Sequence, residues 1–551
     1  MGHHLTFTPA MPPPPIAPSA EDRTEMVDEE GTSDIWKQLA KQLEDDGSVN
    51  VPIEEPDSID WTVEHRSLPQ HTRLMQQQPR WMPRTGELVL FIRDIPSNQT
   101  LHFDEDARSF RLWDSRSASW TGLPIWEAGV VTETSEEPAT IKDLVMEVDK
   151  SFQVAYSGFR VEPMPEIGSD DKSWSKRSTY VPLHQIRPFC FWREFLRGTE
   201  RADYHPTVWH AMGAAASFSV YNKYHFKGTF PSATVFCKGL YIGSELMLVG
   251  DVVRLTTPEQ SDITEILYVT SIKLKLLDIG SPESAFGPDA QSSAPPWYTC
   301  IHVSGVAFTT DPTKACSTEK HAIDAKTSLL PEGLDGYGRW YYVHAPEQRM
   351  EVPFQRVLGR CFEDEAMMLW FPSKMNSRSP TPVKLFSAIN SGKGKGKARM
   401  TDQEPEADLS LGLQGTLKAR TYASANDPRV VREEGKTWFW GDSRVQQLGL
   451  SHVKNVDVGD DSTFSGDLAT LPRQRLCMDA MRKARRLRET GYKGPGMKGL
   501  SGRNVVPDEG KFAKSGLVAS GLNASLNQDE DSESDDGVVE VGGKSQHGVS
   551  R

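Results

Sequence analysis

The stretch FPSATVFCKGLYIGSELMLVGDVVRL (230–255), followed by ILYVTSIKLKLLDI (266–279), decides the fold class of this 551-residue chain. In the second stretch Ile266, Tyr268, Ile272, Leu274 and Leu276 alternate with Lys273 and Lys275. A period of two marks a strand with one face buried and one wet. The first stretch is rich in β-branched and aromatic residues, the composition of a pleated, packed surface.

The same texture continues on both sides. PRTGELVLFIRDI (83–95) has the turn residue Gly86 and then a β-rich run, and WEAGVVTE (126–133), YSGFRVE (156–162) and TYVPLHQIRPF (179–189) add further short strands. EVPFQRVLGR (351–360) and AMMLWFP (366–372) close the block. Short strands punctuated by turn residues predict small barrels or twisted sheets. Helices are few. Residues 34–46 place Ile35, Leu39 and Leu43 on one helical face, with Ser33 or Asp34 as cap. Pro206 suits a first helical position, and Val208, Met212, Ala216 and Val220 follow at four-residue intervals.

The fourteen tryptophans bound the ordered part, because none falls in 1–35, 371–437 or after 440. Segments without large apolar side chains cannot offset the entropy of ordering. The expected fold is therefore mainly β with some α, in several small β-barrel or sheet modules, with disordered termini and a disordered linker. The expected division is a disordered arm (1–33), a small N-terminal domain (34–78), a small β domain (79–192) and a larger β domain (193–453). The larger domain carries a flexible basic insert at about 373–427, and a basic then acidic tail runs from 454 to 551. TWFWGDSRVQQLGL (437–450) is apolar enough to dock back on the folded block.

Charge and cysteine usage narrow the function classes. A net charge of −14 excludes a globally basic nucleic-acid coat but leaves room for local basic patches. The six cysteines form no C-x-x-C pair, which argues against a disulfide framework or cysteine-rich zinc module and fits a reducing compartment. No 18-residue apolar run or secretory leader pattern occurs, so no membrane partner is expected.

Catalytic motifs are missing from the sequence. There is no H-E-x-x-H and no G-x-S-x-G, and His205 and His210 are wrongly spaced to share a helical face. The glycines at 392–396 lack phosphate-loop spacing. Neither a catalytic residue, a metal site nor a cofactor is expected, although a dispersed site assembled in space would leave no such trace. Binding features remain. Arg482, Lys483, Arg485 and Arg486 form a basic cluster suited to a nuclear import receptor, within a segment (473–514) of twelve basic against four acidic side chains. Residues 79–192 hold 13 basic and 17 acidic residues, so DNA contact there needs a local face such as Arg160, Lys172, Lys176, Arg177 and Arg187. Trp113, Trp120 and Trp126 are open to two readings, core packing or an aromatic cage for a methylated lysine.

YSGFRVEPMPEIGSDDKSWSKRSTYVPLHQIRPFCFW (156–192), PRTGELVLF with GLPIWEAGVVTE (83–91 and 122–133), FPSATVFCKGLYIGSELMLVGDVVRL (230–255), EVPFQRVLGRCFEDEAMMLWF (351–371) and TWFWGDSRVQQLGL (437–450) resemble the cryptic loci regulator 2 family, fungal transcription-silencing proteins. WTVEHRSLPQHTRLM (61–75) resembles its N-terminal piece more weakly. The resemblance spans roughly 34–450. It implies a non-catalytic subunit of a SHREC-type nuclear complex that joins a histone deacetylase to a helicase-type remodeller and silences heterochromatin. It also implies an N-terminal domain, a methyl-CpG-binding-like domain that contacts DNA, and a bromo-adjacent homology (BAH) domain. By resemblance the DNA-facing stretch is DDKSWSKR (170–177), with Lys172, Lys176 and Arg177 matching, while Gly250, Asp251 and Arg254 serve the BAH fold. The resulting expectation is a nuclear chromatin adaptor with deacetylase-complex subunits, a remodeller and DNA or nucleosomes as partners. A reader of histone marks or nucleosomes outside such a complex is the alternative.

Overall fold

A computed structural model describes residues 35–53, 68–104, 106–135, 137–148, 158–171, 173–257, 262–279, 298–317, 322–323, 330–371, 407–432, 435–441, 443–457 and 538–539. The chain is mainly β, in several sheets, and none of the described strands closes a barrel. The GKGKGKARM run (392–400), the basic segment 473–514 and most of the acidic tail lie outside the described residues.

The largest sheet has twelve strands. Its antiparallel centre runs Ser217–Thr229, Ser232–Ile242, Glu265–Leu277, Tyr298–Thr309 and Arg349–Pro353. Glu245–Leu248 pairs with Ser232–Ile242, and Val252–Leu255 bridges Glu265–Leu277 to Val357–Arg360. The alternation read at 266–276 holds for 272–276, where Ile272, Leu274 and Leu276 are buried while Lys273 and Lys275 face outward; an irregularity between Val269 and Ser271 turns Ile266 and Tyr268 to the other core. The two-residue Phe439–Trp440 strand docks in parallel on Ser217–Phe218, and Trp438 and Trp440 pack on that sheet's core, as expected for 437–450.

A second, antiparallel sheet runs in the order Thr179–Pro182, Gly158–Pro163, Glu127–Glu133, Leu88–Phe91, Ile186–Pro188. A meander of Gln99–Asp104, Ser109–Asp114 and Ser119–Gly122 stands beside it.

Two sets of contacts cross the expected division, and two local expectations are corrected. Helix Ile35–Asp46 places Leu39, Ala40 and Leu43 in the core of the large sheet, and strand Ser48–Pro52 extends that sheet along Ser217–Thr229. Across 192/193, Phe191 packs on Phe362, Trp370 and Phe371 at centroid distances of 5.6, 6.2 and 5.0 Å. The helix begun at Pro206 ends at Gly213, and Ala216 and Val220 are buried next to or within the following strand. The flexible reading of 373–427 fails for 407–427, where Leu413–Asn426 is a helix. It carries little apolar bulk because it packs by close approach. Behind Leu413, the small residues Gly415, Ala419 and Ala423 complete its buried face, and Trp192 Nε1 donates to the Gly415 carbonyl at 3.0 Å.

Candidate functional site

The turn Pro83-Arg84-Thr85-Gly86-Glu87 seats the second sheet on the large one. Gly86 has φ +89°, and a Cβ there would stand 2.6 Å from the Tyr241 hydroxyl, so the sharp approach needs glycine. Tyr241 Oη donates to the Thr85 carbonyl at 2.9 Å. The turn aims Arg84 into the interior. Its guanidinium is fully buried and donates to both Asp251 oxygens, at 2.6 and 2.8 Å, and to the Leu246 carbonyl at 2.9 Å. Glu87 accepts from Arg360 at 2.7 Å and from the Leu246 amide at 2.8 Å. Arg444, also buried, donates to the carbonyls of Gly86 and Gly243 at 2.8 Å each.

Burial works against every charge in this cluster, and the geometry decides which charges survive. Asp251 is penalised by burial, yet Arg84 beside it holds its carboxyl below the ordinary range. Arg84 is likewise held protonated by Asp251 against the cost of burial. Glu245 is pushed up to about 6 by burial, and Arg360 at 3.8 Å and Arg254 only partly oppose that. Arg254 turns to carbonyls of the 407–411 segment, Leu409 at 3.0 Å and Leu411 at 2.5 Å. Such a network ties segments far apart in sequence, because breaking one arm strands a buried charge. Charged residues inside the apolar runs LVGDVVRL and RVLGR were the available sequence signal. Asp251 and Arg254 serve the fold, as expected; Arg84, Glu87, Glu245, Arg360 and Arg444 were not singled out.

The residues read as a DNA face divide. Lys172 and the import cluster Arg482, Lys483, Arg485 and Arg486 lie outside the described residues. Lys176 closes the helical turn Ser173–Lys176 and is exposed, as is Arg177. Arg177 stacks 5.1 Å over Trp174, which also meets the His210 ring at 5.5 Å. Asp171, one of the acids beside them, accepts from the Ser173 amide at 2.9 Å, and its pKa is lowered by Ser173 and Arg177. This acid is therefore committed to the turn. Arg160 is buried and ion-paired with Glu162 at 3.1 Å.

Arg187 is corrected. It is buried, with its guanidinium 5.7 Å from the Phe110 ring and 5.5 Å from the Phe195 ring, donating to the carbonyls of His184 and Ile186. Burial pushes its pKa down to about 9. The strand Ile186–Pro188 enters the aromatic core directly, so its arginine goes inward too.

The turn 173–177 is anchored from below. Glu162 accepts from Ser175 Oγ at 2.8 Å and from the Lys454 amide at 3.0 Å, and the Asn455 amide donates to Ser175 Oγ at 2.9 Å. The hairpin His452–Val453/Val456–Asp457 thus holds Lys176 and Arg177 on a fixed support. The three tryptophans of the possible cage do not converge. Trp113 and Trp120 meet edge to face at 5.1 Å, whereas Trp126 is buried against Phe195 at 5.6 Å. His205 and His210 separate as well, the first bonding Thr207 at 2.8 Å and the second the Met164 carbonyl at 3.0 Å. Among the described residues no group of three His, Cys, Asp or Glu side chains could hold a metal ion.

Residues 236–363 match the family model described as transcription-silencing protein Clr2. The matched segment contains Glu245, Asp251, Arg254 and Arg360, the large-sheet half of the buried network. No curated protein matches the chain. A solved structure titled "Structure of Clr2 bound to the Clr1 C-terminus" is similar over 58% of this chain and 62% of that chain, at 13% identity and a TM-score of 0.28. The alignment thus spans less than two thirds of the solved chain. Over 236–363, this chain is similar to the Clr2 family of transcription-silencing proteins.

Proposed function

We propose that the chain is a non-catalytic chromatin adaptor in the nucleus, joining a histone deacetylase and a helicase-type remodeller into a heterochromatin-silencing complex. The observation that carries this reading is the family match over 236–363, on a segment whose polar interior is spent on joining two sheets. In this reading residues 79–192 act as a methyl-CpG-binding-like module and 193–453 as a BAH-like module. Arg84–Asp251 and Glu87–Arg360 link the two. Lys176 and Arg177 contact DNA phosphates, supported by their exposure and by the anchored turn beneath them. The perturbed carboxyls Glu245 and Asp251 are buried and paired with arginines rather than open to a substrate.

The test is genetic. Deleting the gene should derepress a reporter placed in heterochromatin and raise histone acetylation at that locus. Derepression with unchanged acetylation would contradict the deacetylase link.

A further inference from the structure

The inner face of the large sheet is packed, with Phe226, Val235 and Leu274 buried. Its outer face carries rings and cations in register. His225 lies opposite Phe236, Phe236 opposite Lys273, and Lys273 opposite His302. One step along the strands, Lys227, Thr234 and Lys275 form a parallel row. Tyr224, 37% exposed, completes a trio with His225 and Phe236 whose ring centroids are 6.0 to 6.5 Å apart. Lys238 Nζ stands 3.9 Å from the Tyr224 ring centre. The helix Leu68–Gln77 borders the patch with Arg73. The lowered pKa of Lys238 reflects burial first and the Arg73 charge second. Among the described residues, Glu351 meets this band, ion-paired to Lys273 at 3.5 Å and to Lys275.

We propose that this outer face binds single-stranded nucleic acid, with Tyr224, His225 and Phe236 as a stacking surface and Lys227, Lys238 and Lys275 as phosphate contacts. Three features choose that ligand. Lysines stand in a row on this face, Lys227 and Lys275 on either side of Thr234, which favours a polyanion. Rings on an open sheet offer stacking to unpaired bases, whose faces a duplex keeps buried. An acidic peptide would use the lysines and leave the rings idle. This face is separate from the duplex contact at Lys176 and Arg177, and either can fail without the other.

The experiment is fluorescence anisotropy on the full chain, with labelled oligo(U), oligo(dT) and duplex DNA, each about a dozen nucleotides long, within the usual site size. Phe236→Ala should weaken oligo(U) or oligo(dT) binding by roughly 5- to 100-fold while leaving duplex binding unchanged, the range typical of removing one stacking partner. Lys227→Glu with Lys275→Glu should weaken the same probe and flatten its salt dependence, and serves if Phe236→Ala does not fold. Single-strand affinity unchanged in both variants would overturn the proposal. So would a polyglutamate peptide that binds as tightly and ignores Phe236→Ala, since that marks an acidic-protein surface.

Discussion

Arg84 and Asp251, 167 residues apart in sequence, face each other through two hydrogen bonds of 2.6 and 2.8 Å in the interior. The first belongs to the turn before strand Leu88–Phe91, the second to the turn after strand Glu245–Leu248. Asp251→Ala should cost about 3–5 kcal/mol, because it leaves a buried guanidinium without its carboxylate. Adding Arg84→Met should recover part of that loss, since no unpaired charge remains. Denaturant unfolding of the full chain measures both, and equal stability of Asp251→Ala and wild type would refute the role given to the pair.

Glu245 makes a pH prediction. Its carboxyl is raised by burial from 4.5 to about 6. A raised folded-state pKa means the folded chain holds the proton more tightly than the unfolded chain. Its contribution to stability is therefore complete below 4.5 and lost as pH rises through about 6. Asp251 has the opposite sign, contributing above the ordinary carboxylate range and losing that contribution as pH falls through its depressed value. Glu245→Gln cannot ionise. Its melting temperature relative to wild type should rise between about pH 5 and about pH 7. Parallel curves for the two proteins would show that Glu245 keeps one protonation state across that window.

Gly86 tests the close approach of the two sheets. Gly86→Ala meets both the positive φ and the Tyr241 hydroxyl. It should destabilise by about 1–3 kcal/mol, the range for strained backbone of this kind. Gly435 also has a positive φ but nothing within 4 Å of an added Cβ, so Gly435→Ala should cost less. Equal thermal shifts for the two variants would remove Tyr241 from the explanation.

The basic turn and the buried arginine should separate in binding assays. Lys176→Ala with Arg177→Ala should weaken duplex DNA binding and lower the salt slope by roughly one for each phosphate no longer neutralised. Arg187→Met should leave the salt slope alone, because its guanidinium is packed on Phe110 and Phe195. Anisotropy titrations at several salt concentrations decide between them. A salt slope changed by Arg187→Met would contradict the buried assignment.

Much of the fold was legible because periodicity and burial agree. The Lys273/Lys275 alternation and the apolar runs at 88–91 and 252–255 are strands. The features that sequence did not reveal share a physical cause. The helix Leu413–Asn426 is held by small residues and by arginines reaching its backbone neighbours, with Arg420 donating to the Val357 carbonyl at 2.8 Å. Tryptophan spacing cannot detect packing of that kind. The strand Ser48–Pro52 has only one fully buried side chain, Val49, so its place on the large sheet comes from backbone pairing that leaves little mark on composition. Arg187 was misleading because an arginine counted by its charge alone looks like surface, whereas its neighbours Ile186 and Phe189 are core. At the turn 173–177 the exposed pair was legible, but the support from Glu162 and the hairpin near Lys454 was not, since Lys454 is 292 residues from Glu162 and Asn455 is 280 from Ser175.

The adaptor account is tested most directly by affinity purification of the tagged full chain from nuclease-treated nuclear extract, quantified by mass spectrometry. It predicts a histone deacetylase and a helicase-type remodeller in near-stoichiometric amounts, retained after nucleic acid is digested. Recovery of histones alone, or of neither enzyme, would contradict it.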